Sequence, residues 1–310
     1  MDDYYLRQTP YSDPGDLDVS DLPRDPRELT CLVRNLMVHR LEGERVGYEI
    51  PEARLHHDAE SRYVIAILRI LRARRNAPLT RRRSYDEQFV GTCRDYSLLL
   101  CSLLRATGTP SRIRGGYATY FVEGFHDDHW VTEYRLPDGT WRLADAQVTA
   151  DFYDVPFDPM DVPRNRFLVA GQAWQACRAG AADPETFGVW ADPDLRGLPL
   201  VLNSVVLDLA ARNGMEPLPW DGWGLSELRN HDSLTELTEL TKPTEPTEPT
   251  ELTELTEDDL ALVDAVAAAR THEEARRLYA DPRLTVPREI LSLAPFHGPR
   301  KITLPSSPPV

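Results

Sequence analysis

Cys93, His129 and Asp145 are the residues of this chain whose types and spacing could do covalent chemistry. Cys93 follows Gly91-Thr92 and precedes Arg94-Asp95-Tyr96, His129 precedes Trp130, and Asp145 closes the run Trp141-Arg142-Leu143-Ala144-Asp145. A cysteine attacks as its thiolate, and near neutral pH a thiolate needs a helix N-terminus, an imidazolium partner or both to stabilise it. Cys93 is then the nucleophile, His129 carries the proton, and Asp145 orients His129 without itself being protonated. One donor to a developing oxyanion is expected from the Cys93 backbone N–H, and Gln88 is a candidate for the second.

The elements that must position these groups can be read from the pattern around them. Thr92 can cap a helix whose interior runs Tyr96, Leu98, Leu99, Leu100, Cys101, Leu103 and Leu104, apolar nearly all round and therefore buried, with Gly108 and Pro110 ending it. Cys93 then falls in the first turn, where unpaired N–H groups and the positive end of the dipole meet. Ser111 to Val122 reads as a strand, and Gly115-Gly116 inside it marks a bulge or a close approach, here expected to let substrate lie against the sheet. His129 to Leu136 and Thr140 to Ala146 flank Pro137-Asp138-Gly139, a hairpin signature. A two-residue loop would set Asp145 opposite Thr132, on the wrong face, so a longer loop or a bulge is expected to bring Asp145 to the face of His129 and Val131. His126 is the competing base, less attractive because the residues around it read as a loop.

Earlier in the chain, Asp25-Pro26-Arg27-Glu28 opens a helix bearing Leu29, Leu32, Val33, Leu36 and Met37 on one face. His39 reads as a boundary residue. A second helix is expected from about Asp58, with Val64, Ile67, Leu68 and Leu71 on its stripe and arginines at its end, while His56-His57-Asp58 reads as loop chemistry. Later, helices are expected from about Phe167 to Arg178 and from Val201 to Arg212, and Pro219 to Gly224 reads as an aromatic loop capping the core. Thr235 to Thr256 repeats Thr-Glu-Leu and Thr-Glu-Pro with a period of three, which fits neither helix nor strand. The expected organisation is one domain over 1–233 with N-terminal helices and a helical C-terminal extension, a disordered linker over 234–257, a short helical segment over 258–294 and a loose tail over 295–310.

Composition limits the partners. A net charge of −15 argues against nucleic acid or an anionic membrane, since counterion release needs clustered cations. No run approaches the roughly 20 apolar residues a membrane span requires, and no charged, apolar leader opens the chain, so a cytoplasmic location is expected. Cys31, Cys93, Cys101 and Cys177 form no C-x-x-C pair, which leaves neither a zinc knuckle nor a disulfide framework. Cys31, Cys101 and Cys177 sit in helical apolar patterns and read as packed thiols. No cofactor motif or calcium loop stands out, so no cofactor and no metal are expected.

The blocks Gly91-x-Cys93-x-Asp95-Tyr96, Leu104-Arg105-Ala106-x-Gly108-x-Pro110-Ser111-Arg112, then Gly116-Tyr117, His129, Glu133, Trp141 and Asp145, resemble the transglutaminase-like superfamily in order. The resemblance covers roughly residues 60–150, and the flanking segments resemble those of a widespread bacterial group of transglutaminase-domain proteins without an assigned reaction. It implies an α+β, papain-like transglutaminase core, with the helix bearing Cys93 packed on an antiparallel sheet bearing His129 and Asp145, plus additional helices. Two departures stand out: His129 directly precedes Trp130, so that aligning by the tryptophan would nominate Asp128, which chemistry rejects as the base, and Asp145 is followed by Ala146-Gln147 where the family commonly has proline. Two functions fit. One is cysteine-dependent acyl transfer from an amide, peptide or thioester to water or an amine. The other is a binding or scaffold protein that keeps the fold without turnover.

Overall fold

The computed structural model describes residues 4–150, 152–229, 255–295 and 297–305. Its centre is helix α4 (Cys93–Ala106), in which every residue from Cys93 to Arg105 is buried. A helix apolar on all sides needs neighbours on all sides. Strands β3 (Ser111–Ala118) and β4 (His126–Arg135) cover one flank, and helices α1 (Pro26–Leu36) and α3 (Val64–Arg74) cover others. Asp25 starts α1 by accepting the N–H groups of Arg27 and Glu28 at 2.9 and 3.1 Å.

The start of α4 is fixed by a buried ionic knot. Asp95 Oδ2 accepts the Thr92 N–H at 2.8 Å and the Thr92 hydroxyl at 3.0 Å, while Asp95 Oδ1 accepts Arg94 at 2.9 Å. Arg94 is fully buried and donates onward to the Arg62 and Glu216 carbonyls. Just upstream, β1 (Met37–His39) runs parallel to β2 (Phe89–Gly91), in the register His39 to Gly91. Thus the chain enters Cys93 along a paired strand and turns at once into the helix.

The main sheet has the order β5-β4-β3-β6, where β5 is Trp141–Ala144 and β6 is Phe167–Val169, all antiparallel, with the short β7 (Phe187–Gly188) parallel to β4. The β4–β5 register pairs Thr132 with Ala144 and Arg135 with Trp141. Leu136 N–H donates to Thr140 O at 2.8 Å and Gly139 N–H to Leu136 O at 2.9 Å, so the loop is the three residues Pro137-Asp138-Gly139. Gly139 takes φ 90°, the left-handed position that such loops reserve for glycine. The extra residue shifts Asp145 from opposite Thr132 to opposite Val131, on the face of His129, as the register argument requires. The α+β core with the cysteine helix against the sheet is therefore present.

Several expectations are corrected. His56-His57-Asp58 is not a loop: Glu52–Ala59 forms α2, and α3 starts separately at Val64. Asp58 ends α2 as a buried anchor, taking Arg74 at 2.7 and 2.8 Å and the Val90 N–H at 2.8 Å. The expected helix from Phe167 begins as β6 and becomes α5 (Ala170–Arg178) only at Ala170, because β3 draws three residues into the sheet. Gly116 permits that pairing: a Cβ there would lie 2.1 Å from Leu168 O, so the close approach is made by β6, not by substrate. The strand expected to reach Val122 ends at Ala118, and β4 begins at His126 where a loop was expected, since β7 pairs with His126 and Asp127.

Helix α6 (Leu198–Arg212) packs across the sheet and against α5. Trp223 is buried and donates Nε1–H to Leu284 O at 3.0 Å, in keeping with a core-capping segment. The period-three repeat lies outside the described residues up to 254. Thr256 then caps α7 (Glu257–Ala268), and α8 (His272–Tyr279) follows. The tail read as loose from 295 contains a strand: β9 (Glu289–Ala294) and β10 (Gly298–Thr303) form a hairpin, and β9 pairs with β8 (Asp221–Gly222). The alternating burial of β9 is a strand period, and its partner is supplied from far along the chain. Among the described residues no helix is long and apolar enough to cross a membrane.

Asp58 joins α2, α3 and β2 through charge-assisted bonds in a site with no solvent access to its side chain. Asp58→Ala leaves Arg74 without its carboxylate and should destabilise the fold by roughly 3 kcal/mol in urea unfolding. An unchanged midpoint would show that these bonds contribute nothing net.

Candidate active site

The three predicted residues converge. His129 Nε2 and Asp145 Oδ2 are 2.7 Å apart, with both side chains almost wholly buried. Cys93 lies close enough to His129 for the two to act on each other's ionisation, and the Trp130 backbone N–H also acts on the sulfur. Since Nε2 is engaged by Asp145, Nδ1 is the nitrogen left to serve the thiol. Cys93 is 9% exposed, so a small window of its surface reaches solvent.

Asp145 is held from several directions. Its Oδ2 also accepts the Tyr120 hydroxyl at 2.7 Å, its Oδ1 accepts the Gln147 N–H at 3.0 Å, and its own N–H donates to Pro159 O at 2.8 Å. A carboxylate fixed in this way presents one oxygen to His129 and cannot rotate away. Tyr120 escaped sequence reasoning because it lies just beyond β3 in a connection with no periodic signal. The Phe121 ring stands edge-on to His129 at 4.9 Å between centroids, and Tyr120 and Phe167 lie at 6.0 and 6.3 Å. Tyr153 bridges Gln147 and Glu42, at 2.9 and 2.7 Å, beside Phe121.

This aromatic surround sets the electrostatics. Burial disfavours the imidazolium of His129, yet the charge and hydrogen bond of Asp145, helped by Cys93, outweigh it and raise His129 to about 10. For Cys93, burial is the largest influence and raises the thiol above its ordinary value. The hydrogen bond and charge of His129 and the Trp130 N–H pull it down, whereas the charge of Asp128 pushes it up. The expectation of a thiol lowered by its helix end is thus corrected: in this closed site desolvation wins. Because each group acts on the other, the ionisation of Cys93 and that of His129 depend on one another.

The other sequence candidates fall outside this cluster. His126 lies flat on Phe187, 4.0 Å between centroids, and bonds Thr186 at 3.3 Å, so it is a packed ring. Asp128 acts on Cys93 by charge, as the −1 neighbour of His129. Gln88 is no oxyanion donor, because its amide nitrogen donates to the Asn35 and Arg83 carbonyls at 3.2 and 3.4 Å. Of the remaining cysteines, Cys101 and Cys177 are buried as expected, but Cys31 is exposed on the outer side of α1. His39 ends β1 as a boundary residue and also contributes to the site: its Nδ1 accepts the Leu41 N–H at 3.3 Å, and desolvation together with the charges of Arg40, His129 and Arg34 pushes it down to about 3. It is a neutral imidazole near His129. Among the described residues no group of three His, Cys, Asp or Glu side chains is placed to hold a metal.

Residues 60–146 match the family model of the transglutaminase-like superfamily. The matched span runs from the approach to α3 to the end of β5 and includes Cys93, His129 and Asp145. Comparison with curated proteins and with solved structures returned no match.

Two measurements check the electrostatics. In Asp145→Asn the imidazole of His129 should titrate far below about 10, towards or under the ordinary value of about 6.5, in an NMR pH series. The wild-type pair stabilises the fold fully below about pH 6.5, and that stability fades as pH rises through about 10; the variant should lack this dependence. In a Cys31→Ser background, iodoacetamide should reach Cys93 at lower pH in Asp128→Asn and only at higher pH in His129→Ala, since each variant removes one charge acting on the thiol. Shifts in the opposite sense would mean that other charges govern the sulfur.

Proposed function

Starting from a transglutaminase-like core over residues 60–146, we propose that the protein is a cysteine-dependent acyl-transfer enzyme acting on an amide or thioester. The observation that carries this reading is the convergence of Cys93, His129 and Asp145, with His129 Nε2 and Asp145 Oδ2 2.7 Å apart and Cys93 close enough to His129 for each to shift the other's ionisation. Cys93 Sγ adds to the substrate carbonyl, forming an S–C bond and an oxyanion. The Cys93 N–H, in the first turn of α4 and ahead of the first intrahelical bond from Asp95 N–H to Thr92 O, is the donor offered to that charge.

The imidazolium of His129 then gives its proton from Nδ1 to the leaving amine or thiol as the C–N or C–S bond breaks, leaving a thioester on Cys93. Neutral His129 next takes a proton from the acceptor, which attacks the thioester and restores the thiol pair. Asp145 keeps Nε2 in place through both steps. Tyr120, which bonds the same carboxylate oxygen, is a positioning residue. The small exposed surface of Cys93 and the aromatic rings around His129 exclude water, which favours an amine acceptor over hydrolysis.

The pH profile follows from the two shifts. Activity should rise on the alkaline side of neutrality as the buried thiol ionises, then fall as His129 loses its proton near about 10. Incubation with a panel of peptide amides and thioesters, read by intact-protein mass with hydroxylamine as amine acceptor, should show an acyl adduct on Cys93 and hydroxamate product. Cys93→Ala should abolish both, and His129→Ala should slow turnover by about 10²–10⁴. Turnover that persists in Cys93→Ala would refute the mechanism. A wild type that forms no adduct with any donor would favour the non-catalytic scaffold.

A further inference from the structure

A partly open cavity of about 190 Å³ lies on the strands that carry the candidate site but away from Cys93, walled by β3 and β4 on one side and by α5, α6 and the end of α7 on the other. Arg112, Arg114, Arg164, Arg212 and Arg270 line it, against only two carboxylates, Glu133 and Asp208. In a chain of net charge −15 that is a local reversal of sign.

Both carboxylates are already engaged. Asp208 takes Arg114 in a two-pronged pair at 2.9 and 2.9 Å. Glu133 is shared by Arg112 at 2.7 Å, Arg114 at 3.2 Å and Arg164 at 2.5 Å. Arg212, at the end of α6, is 5% exposed and among the described residues has no bonded carboxylate: its terminal nitrogens donate to the Ala269 and Thr271 carbonyls at 3.2 and 3.1 Å, and its Nε has no hydrogen-bond partner there. Burying a cation on carbonyl acceptors alone is costly. The crowding shows in its titration, which burial and the charges of Arg114 and Arg112 lower despite the opposing pull of Asp208.

Gly171 and Gln172, in the first turn of α5, line the same cavity. Helical N–H groups at that position lack partners within the helix and favour negative charge. At about 30 Å³ per water, the cavity has room for a tetrahedral anion with part of its hydration. We propose that this cavity is a binding site for a small oxyanion of the phosphate class, held by Arg212 with Arg164 and Arg270 at the rim. Guanidinium groups suit such a ligand because their paired N–H donors match adjacent anion oxygens.

The site is separate from the thiol. Glu133 lies four residues beyond His129 on β4, which at about 3.3 Å per residue is about 13 Å along the strand. The proposal therefore stands or falls without the acyl-transfer reading, and Cys93→Ala should bind the anion as the wild type does.

The test is isothermal titration of the full chain with inorganic phosphate at constant ionic strength, with chloride as the control. Saturable binding to phosphate and none to chloride is expected. Arg164→Gln combined with Arg270→Gln should weaken it by about tenfold, a loss of about 1.4 kcal/mol. Arg212→Gln should abolish it, with circular dichroism reporting the fold. If that variant does not fold, the rim pair decides. Arg81→Gln, in a separate basic loop, should change nothing. The proposal is overturned by the absence of saturable heat, by equal response to chloride, or by a rim variant that binds phosphate as tightly as the wild type.

Discussion

The site depends on one contact, the 2.7 Å pairing of His129 with Asp145 inside a cage of aromatic rings. Desolvation by itself would leave His129 neutral and Cys93 a reluctant thiol. The buried carboxylate reverses the first tendency, and the imidazolium so created is the largest influence opposing the second. Neighbouring groups hold the two partners and the cysteine in place. Tyr120 and Gln147 fix the carboxylate, Phe121 and Phe167 stand edge-on to the His129 ring, and the Thr92–Asp95–Arg94 knot sets where α4 begins and so where the sulfur sits.

The architecture explains why α4 and the sheet can be held to that tolerance. A helix buried on every side has no soft face along which to slide, and its first turn is tied through Arg94 to carbonyls from two distant segments. The hairpin completes the alignment. One additional loop residue moves Asp145 across a pleat, and with Gly139 in its left-handed conformation that register is the low-energy one.

The sheet face that carries His129 continues towards Arg112, Arg114 and Glu133, where the electrostatic arrangement is inverted. At His129 a buried base is stabilised by one carboxylate. At Arg212 a buried cation has no bonded carboxylate among the described residues, and several more arginines share the two nearby. The same strands thus support a satisfied ion pair at one end and an excess of positive charge at the other, and the second arrangement gains from a mobile anion.

What the amino-acid order determined by itself was local. The cap at Thr92, the apolar circumference of α4, the turn residues Pro137 to Gly139 and the period-two strands place a cysteine, a histidine and an aspartate in sequence, and the parity of residues between them demands a loop longer than two. Those are properties of neighbours within a few residues, set by steric and hydrogen-bonding rules that the chain carries everywhere. Only the tertiary structure decided the rest. Asp58 proved an anchor and not loop chemistry, Phe167 joined a sheet, the segment after Glu289 found β8 from far upstream, and Tyr120 reached Asp145. The thiol's ionisation likewise turned on burial, a quantity summed over distant side chains, which raises Cys93 against the pull of His129.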